Sequence, residues 1–145
     1  MTPRQIEIVQ QSFTKIAPIA DIAADLFYTR LFALDPTLRA LFRGDMKHQG
    51  AMLMSMIGNA VRALNNPTGL VPVLKQLGAR HAGYGVNDQH YDTVGTALLW
   101  TLEQGMGDEF TPETREAWTA AYGLLASVMR LGAAEVANAR AQIAA

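Results

Sequence analysis

The chain has 145 residues, of which half are hydrophobic and 17% are charged, and its formal net charge is −1 at pH 7. This length suits one domain with a substantial core, and this composition is typical of a compact globule rather than of a disordered segment. The absence of cysteine excludes disulfides, iron–sulfur clusters, thiolate-ligated haem and cysteine-based zinc sites.

The charges are unevenly spread along the sequence without forming a basic cluster. Residues 1–80 carry nine Lys and Arg against five Asp and Glu, and residues 81–145 carry three against eight. No basic run is interleaved with aromatic residues, so we expect no nucleic-acid partner. No apolar run approaches the roughly 20 residues that span a bilayer, and the N-terminus lacks the pattern of a signal peptide. We therefore expect no membrane partner and a cytoplasmic location.

Helical patterns begin at the N-terminus. Thr2 and Pro3 suit the N-cap and the first position of a helix whose apolar stripe runs to Ile16. A second helix is predicted from Ile19 to Ala33. Its apolar face has small residues at one end and aromatic residues at the other, and it comprises Ala20, Ala23, Ala24, Phe27, Tyr28 and Leu31.

A corner separates this helix from the next one. The residue before a proline is disfavoured in the helical region, so Asp35-Pro36 starts a new turn. The segment from there to Phe42 is predicted to form no more than a short helix. Asp45 or a neighbour is expected to cap a helix from Met46 to Asn65. The inward stripe of that helix is apolar except for one amide, and it comprises Met46, Gln49, Gly50, Leu53, Ile57, Ala60 and Leu64.

A histidine lies on the apolar face of the following helix, which ends at Gly83-Tyr84-Gly85. Its face recurs every three or four residues and comprises Leu70, Val73, Leu74, Leu77, His81 and Tyr84. The imidazole of His81 therefore points where leucines point. Two interpretations are open on this pattern alone, a hydrogen-bonded core residue and a ligand for a metal or cofactor.

Two further helices complete the pattern. Asn87 or Asp88 is expected to cap a long helix, and Thr111-Pro112 opens the last one in the same way as at the N-terminus. There is no strand pattern and no internal repeat. We therefore predict an all-α fold of about seven helices with short connections.

Five segments, in order along the chain, resemble the globin family. They are D-P-T-L-R-A-L-F (35–42), M-K-H-Q-G (46–50), L-G-A-R-H-A-G-Y-G-V (77–86), H-Y-D-T-V-G-T-A-L-L (90–99) and F-T-P-E-T-R-E-A-W-T-A-A-Y-G (110–123). The latter half is similar to neuroglobin-type chains, and the opening M-T-P-R-Q-I is similar to single-domain bacterial haemoglobins related to flavohaemoglobins. The resemblance covers residues 1–132, which we take as the globin domain, and residues 133–145 are expected to form an alanine-rich helical extension or a frayed tail.

This resemblance implies a globin fold around haem b, with His81 as the axial ligand of the iron. It places Phe42 flat on the haem, and it implies that Tyr28 and Gln49 donate hydrogen bonds that stabilise a bound diatomic ligand. The other positions implied to line the pocket are Leu53, Val86, Tyr91, Val94 and Leu98.

Two positions depart from the family pattern. Neuroglobin-like chains often have a second histidine where this chain has Gln49, so we expect an open sixth position on the iron, unless a small helix shift brings the adjacent His48 to it. Relatives of the flavohaemoglobin lineage commonly have a glutamate near the proximal histidine, and that position is Ala133 here, with Glu135 two residues away. We therefore do not expect a strong peroxidase-like push on the iron.

The resemblance implies reversible, high-affinity binding of dioxygen at ferrous iron, with nitric oxide and carbon monoxide as further ligands. Nitric oxide oxidation is the enzymatic alternative. Since these 145 residues contain no glycine-rich dinucleotide fingerprint, it is expected to need an external reductase. A gas sensor or electron-transfer haem protein is the remaining alternative, and we expect a monomer or weak homodimer.

Overall fold

The computed structural model describes residues 1–144, and this part of the chain is helical with no strand. The six α-helices are α1 (Pro3–Ile16), α2 (Ala20–Leu34), α3 (Met46–Arg62), α4 (Pro67–Gly83), α5 (Asp88–Met106) and α6 (Pro112–Ala144). Short 3₁₀ segments lie at Ala17–Ile19, Pro36–Leu41, Ala63–Asn65 and Gly107–Glu109. The all-α prediction is confirmed, with six α-helices because the short segment after Asp35 forms a 3₁₀ helix.

The predicted helix starts carry the caps that the sequence indicates. The Thr2 side chain accepts from the Gln5 N–H, and the Gln5 side chain accepts from the Thr2 N–H, which completes a capping box. Asp45 caps α3 by accepting from the Lys47 N–H at 2.9 Å. Asn87 is the cap of α5 and forms a second reciprocal pair with His90. These caps satisfy N–H groups that the first helical turn leaves without partners.

The larger apolar core lies around Trp118 of α6, which packs against α1. The Trp118 indole lies 6.3 Å from the Phe13 ring, centroid to centroid, and its Nε1 donates to the Ser12 hydroxyl at 2.8 Å. Ser12 in turn donates to the Ile8 carbonyl at 2.6 Å. A buried indole N–H needs such an acceptor, and this one joins residues 106 positions apart in sequence.

Helix α4 has two distinct edges. Leu70, Leu74 and Gly78 recur every four residues and are buried, and α4 packs closely on α6. The neighbouring edge carries Leu77 and His81, which are half-buried. Helical spacing alone predicts that both edges form one buried face, and this prediction is wrong for Val73 and Tyr84, which are 58% and 67% exposed. Val73 belongs to the second edge, and Tyr84 lies beyond the end of the helix, so neither is covered by α6.

Helix α6 is continuous from Pro112 to Ala144 and includes residues 133–144, and Ala145 lies outside the described residues. Over Pro112–Ile143, α6 is the one described helix that is long and apolar enough, by length and composition only, to cross a membrane. From the sequence we expected no such segment. Helices of soluble proteins can have the same length and composition. Helix α6 packs on α1, α4 and α5 and buries Trp118 and Ala121.

Candidate functional site

The sequence-predicted site residues lie on α2, α3, α4 and α5 and on the turns beside them. Within residues 1–144, α4 packs closely on α6, α5 on α2, and α3 on α2, whereas α3 has few close backbone contacts with α4 or α5. Helices α3, α4 and α5 have apolar, partly buried edges. They are therefore held in place by α2 and α6 and not by one another. We refer to this loosely packed region between α3 and the α4–α5 side as the cleft.

His81 is fixed by a backbone hydrogen bond within its own helix. Its Nδ1 lies 2.8 Å from the Leu77 carbonyl oxygen. A carbonyl can only accept, so Nδ1 carries the proton and Nε2 presents a free lone pair. Burial lowers the pKa of His81 from its ordinary 6.5, the hydrogen bond to Leu77 opposes this shift, and the charge of Arg80 adds to it. The imidazole is therefore neutral at pH 7, which is the form that binds a metal.

The turn after α4 is hydrogen-bonded to the backbone of His81. The His81 carbonyl accepts from the N–H groups of Tyr84 at 3.0 Å and Val86 at 3.1 Å. Gly85 has a φ of +94°, in the region that favours glycine, so the chain reverses there without strain. Val86 is half-buried and is tied to the histidine by this turn.

An aromatic cluster occupies the opposite side, on α2 and the corner that follows it. The Tyr28 ring lies 5.1 Å from Phe27, 5.9 Å from Phe32 and 5.3 Å from Phe42, between ring centroids. Phe32 and Phe42 also meet edge to face at 5.5 Å. Such pairs add to the apolar burial of their rings. They fix the orientation of Tyr28 and Phe42, two residues that the sequence analysis assigned to one pocket.

The Tyr28 hydroxyl donates to the backbone carbonyl of Gln49 on α3, at 3.4 Å. This distance is long for a hydroxyl donor, so the bond is weak. Burial raises the pKa of Tyr28 to about 12, so the hydroxyl stays protonated at neutral pH. The close crossing that brings the two helices together is between Ala24 and Gly50, where a Cβ on the glycine would lie 2.9 Å from the alanine Cβ. The Gln49 carboxamide has no hydrogen-bond partner within the part of the chain that is described.

The apolar walls come from α3 and α5. Leu53, Val94 and Leu98 are partly buried and pack against the cluster that contains Tyr28. Leu53 and Leu98 also border a small cavity of about 10 Å³. These three residues, predicted to line the pocket, therefore lie together on the α2 side of the cleft.

Tyr91 is buried at the interface of α5 with α6. The Arg130 guanidinium lies 5.0 Å from the Tyr91 ring centroid, and the Tyr122 hydroxyl donates to the Tyr91 carbonyl at 2.5 Å. Arg130 also lies near the carboxylates of Asp88 at 3.6 Å and Asp92 at 3.4 Å. Burial raises the pKa of Tyr91, and the charge of Arg130 opposes this. No local sequence pattern predicts this cluster, because its members lie up to 42 residues apart.

The remaining candidate residues lie outside the core of the site. His48 is exposed on α3. Glu135 is paired with Lys75 at 2.9 Å, and both side chains are substantially exposed. Only Arg80 is a charged contributor to the pKa of His81, so no carboxylate perturbs that imidazole.

The donor set fits a macrocyclic metal complex better than a bare ion. Among residues 1–144 there is no group of three or more His, Asp or Glu side chains that could hold a metal ion. One neutral imidazole, an aromatic ring and aliphatic walls suit a flat, largely apolar group that brings most of its metal's ligands itself. Haem has this chemistry.

The chain is similar in sequence to globins and flavohemoproteins. The sequence model of the globin family matches residues 25–129. The chain is 32% identical to the flavohemoprotein of Rhodopirellula baltica over 132 residues, and these cover 88% of this chain and 32% of that protein. It is 29% identical to the flavohemoprotein of Bacillus subtilis over 126 residues, or 85% of this chain and 32% of that protein. The chain thus spans about a third of the length of the curated relatives it matches.

Solved structures share the fold. An engineered carbene transferase, made from a protein described as a candidate nitric oxide dioxygenase of Rhodothermus marinus, superposes with a TM-score of 0.87 at 24% identity, covering 97% of this chain and 99% of that one. A bacterial globin from Campylobacter jejuni gives a TM-score of 0.83 at 22% identity, covering 94% and 99%. At such identities these likenesses establish the fold alone.

Proposed function

Because this chain belongs to the globin family, we propose that it binds haem b through His81 and reversibly binds dioxygen with high affinity. When bound, the group would supply a ferrous iron able to hold a diatomic gas. The observation that carries the proposal is the 2.8 Å contact of His81 Nδ1 with the Leu77 carbonyl, which fixes the tautomer and leaves Nε2 as the ligand atom.

Tyr28 and Gln49 provide the donors of the distal side. A bound dioxygen carries partial negative charge, and hydrogen bonds to it slow its release. The Tyr28 hydroxyl is protonated at neutral pH, and because its bond to the Gln49 carbonyl is long and weak, it would be free to donate to a gas instead. The side-chain amide of the same residue, Gln49, would offer a second N–H donor. Two donors favour a high affinity, which suits scavenging or chemistry more than bulk delivery.

Optical spectra of the ferric, dithionite-reduced and oxygen-exposed protein test this proposal. We expect a single broad visible band on reduction, converting to two sharp bands with oxygen, because the distal side has no strong protein ligand in place. Two sharp bands in the reduced, gas-free protein would contradict the open site and would implicate His48.

The axial role of His81 is tested by His81→Ala. We expect this variant to lose stable haem incorporation, since it removes the neutral imidazole whose Nε2 is proposed to bind the iron. The matched control is His90→Ala, which removes an imidazole that caps α5. A normal haem content in His81→Ala would refute the proposed ligand.

Nitric oxide oxidation is the second candidate, and the similarity to flavohemoproteins favours it. In this reaction nitric oxide and dioxygen combine to nitrate, with one electron supplied by an external reductant or reductase. The oxygen-loaded protein is mixed with nitric oxide, and nitrate is measured over repeated cycles with and without added reductant. This candidate is supported if one nitrate per haem forms rapidly without reductant and nitrate formation continues over repeated cycles with reductant. It is rejected if the protein slowly releases its oxygen unreacted.

A further inference from the structure

Helices α4 and α6 cross at two glycines that leave no room for a side chain. A Cβ on Gly78 would lie 2.6 Å from the Met129 Cα, and it would come closer still to the Met129 carbonyl oxygen. A Cβ on Gly132 would lie 2.5 Å from the Lys75 Cα and closer to its carbonyl oxygen. Carbon atoms in contact are normally 3.5 to 4.0 Å apart, so the two backbones touch directly. The clashing atoms are main-chain atoms, which cannot rotate away.

This contact lies on the helical turn that orients His81. The turn runs from Lys75 to Gly78, and both of its ends are pressed against α6. Between them lies Leu77, whose carbonyl oxygen accepts the hydrogen bond from His81 Nδ1 at 2.8 Å. The ion pair of Lys75 Nζ with Glu135 at 2.9 Å ties the same turn to α6 one turn beyond Gly132.

From this geometry we infer that α6 is a positioning element for His81, acting through the glycine contact and the Lys75–Glu135 pair on the Leu77 carbonyl. A hydrogen bond from the non-ligating nitrogen sets the orientation of an imidazole and its basicity as a ligand. The basicity of His81 is therefore controlled by how closely α6 approaches α4. This inference deepens the proposed function, because it gives a structural control of the proposed axial ligand.

Gly132→Ala tests the inference, with Gly123→Ala as the matched control on the same helix. A Cβ at Gly123 meets no atom within 4 Å, so the control makes the same chemical change without displacing α4. In Gly132→Ala the Lys75–Gly78 turn must move away from α6, which weakens the bond between Leu77 and His81. We expect the iron–histidine stretching band of the ferrous protein, measured by resonance Raman, to move to lower frequency than in Gly123→Ala and the unmodified protein.

A second readout uses the haem-free protein and does not depend on the proposed function. The ¹⁵N resonances of the His81 ring report the hydrogen bond at Nδ1, and we expect them to shift in Gly132→Ala and to stay in place in Gly123→Ala. If His81→Ala retains haem, the proposed function fails while these resonances still decide the positioning role. If the resonances and the Raman band of Gly132→Ala coincide with those of Gly123→Ala, the positioning role is refuted and the proposed function is unaffected.

Glu135→Gln keeps the test decisive if Gly132→Ala does not fold. It removes a substantially exposed partner of Lys75 and leaves both glycines in place, so the fold is retained. We expect the His81 ring resonances to shift in the same direction as in Gly132→Ala, by a smaller amount. Resonances identical to those of the unmodified protein would overturn the inference in that case.

Discussion

The two helix pairs that flank the cleft are built alike and hold their functional groups differently. Both pairs cross at small residues, Gly78 and Gly132 between α4 and α6, and Ala24 and Gly50 between α2 and α3. The first pair holds His81 by a short hydrogen bond of 2.8 Å, whereas the second leaves the Tyr28 hydroxyl on a long bond of 3.4 Å.

This difference matches what each side is proposed to do. A short hydrogen bond to a rigid carbonyl holds an imidazole in one orientation, and this favours its binding to a metal. A group that donates a hydrogen bond to a reversibly bound gas must exchange acceptors at each binding event. A weak bond to the acceptor used in the gas-free state favours this exchange. The His81 side is thus held firmly, and the Tyr28 side has a hydrogen bond that is weak enough to exchange.

The strongest test of this comparison removes the distal hydroxyl. Tyr28→Phe should raise the oxygen dissociation rate about 10- to 100-fold, because a hydrogen bond of roughly 1.5 to 3 kcal/mol to a charged acceptor is lost. Stopped-flow displacement of oxygen by carbon monoxide measures the rate. Tyr122→Phe is the control, since that hydroxyl donates to the Tyr91 carbonyl at the interface of α5 with α6. Equal rates in the two variants would show that Tyr28 does not reach the ligand.

A smaller effect is expected from the amide. Gln49→Leu should raise the same dissociation rate roughly 3- to 10-fold, because Gln49 is only half-buried and a partly solvated hydrogen bond contributes about 1 kcal/mol. Gln76→Leu, at an exposed position of α4, makes the same chemical change outside the distal side. A dissociation rate that Gln49→Leu leaves unchanged would assign distal stabilisation to the tyrosine alone.

A core variant should separate stability from ligand chemistry. Ser12→Ala removes the acceptor of the buried Trp118 indole N–H, and the free energy of unfolding should fall by about 1 to 3 kcal/mol. The oxygen dissociation rate should stay unchanged, because Ser12 lies in the core shared by α1 and α6. Urea unfolding of the haem-free protein and the stopped-flow assay measure the two quantities. A large change in the rate would mean that the cleft and this core are coupled.

The smallest expected effect is the pH dependence contributed by His81. Its pKa in the folded chain is lowered from 6.5 by burial, so between these two values the unfolded chain binds more protons than the folded one. This contribution to stability is fully present above pH 6.5 and is lost as pH falls through the lowered pKa. Urea unfolding of the haem-free protein between pH 7.5 and 5, compared with His81→Gln, isolates this contribution. An equal slope in both proteins would contradict a buried, neutral His81.

Local features of the fold could be predicted because their causes are local. Thr2, Asp45 and Asn87 are caps that act within three residues, and the confirmed helix starts follow from them. The apolar face of α2, including Phe27 and Tyr28, was predicted from helical spacing and is buried. The predicted burial of α4 was correct for Leu70 and Leu74 but wrong for Val73 and Tyr84. Helical spacing shows which residues share a side of α4, but it does not show how much of that side α6 covers.

The sequence by itself determined the helices, their caps, the position of His81 on an apolar edge and the likeness to globins, since these depend on residue types at short or fixed spacings. Only the tertiary structure decided that α6 presses its backbone against the turn below His81, that Tyr28 reaches across to the Gln49 carbonyl, and that Arg130 covers Tyr91. These contacts join residues 21 to 57 positions apart, and such distances depend on how whole helices cross. A local pattern cannot fix that crossing, because it depends on which side chains are small enough to let two backbones meet.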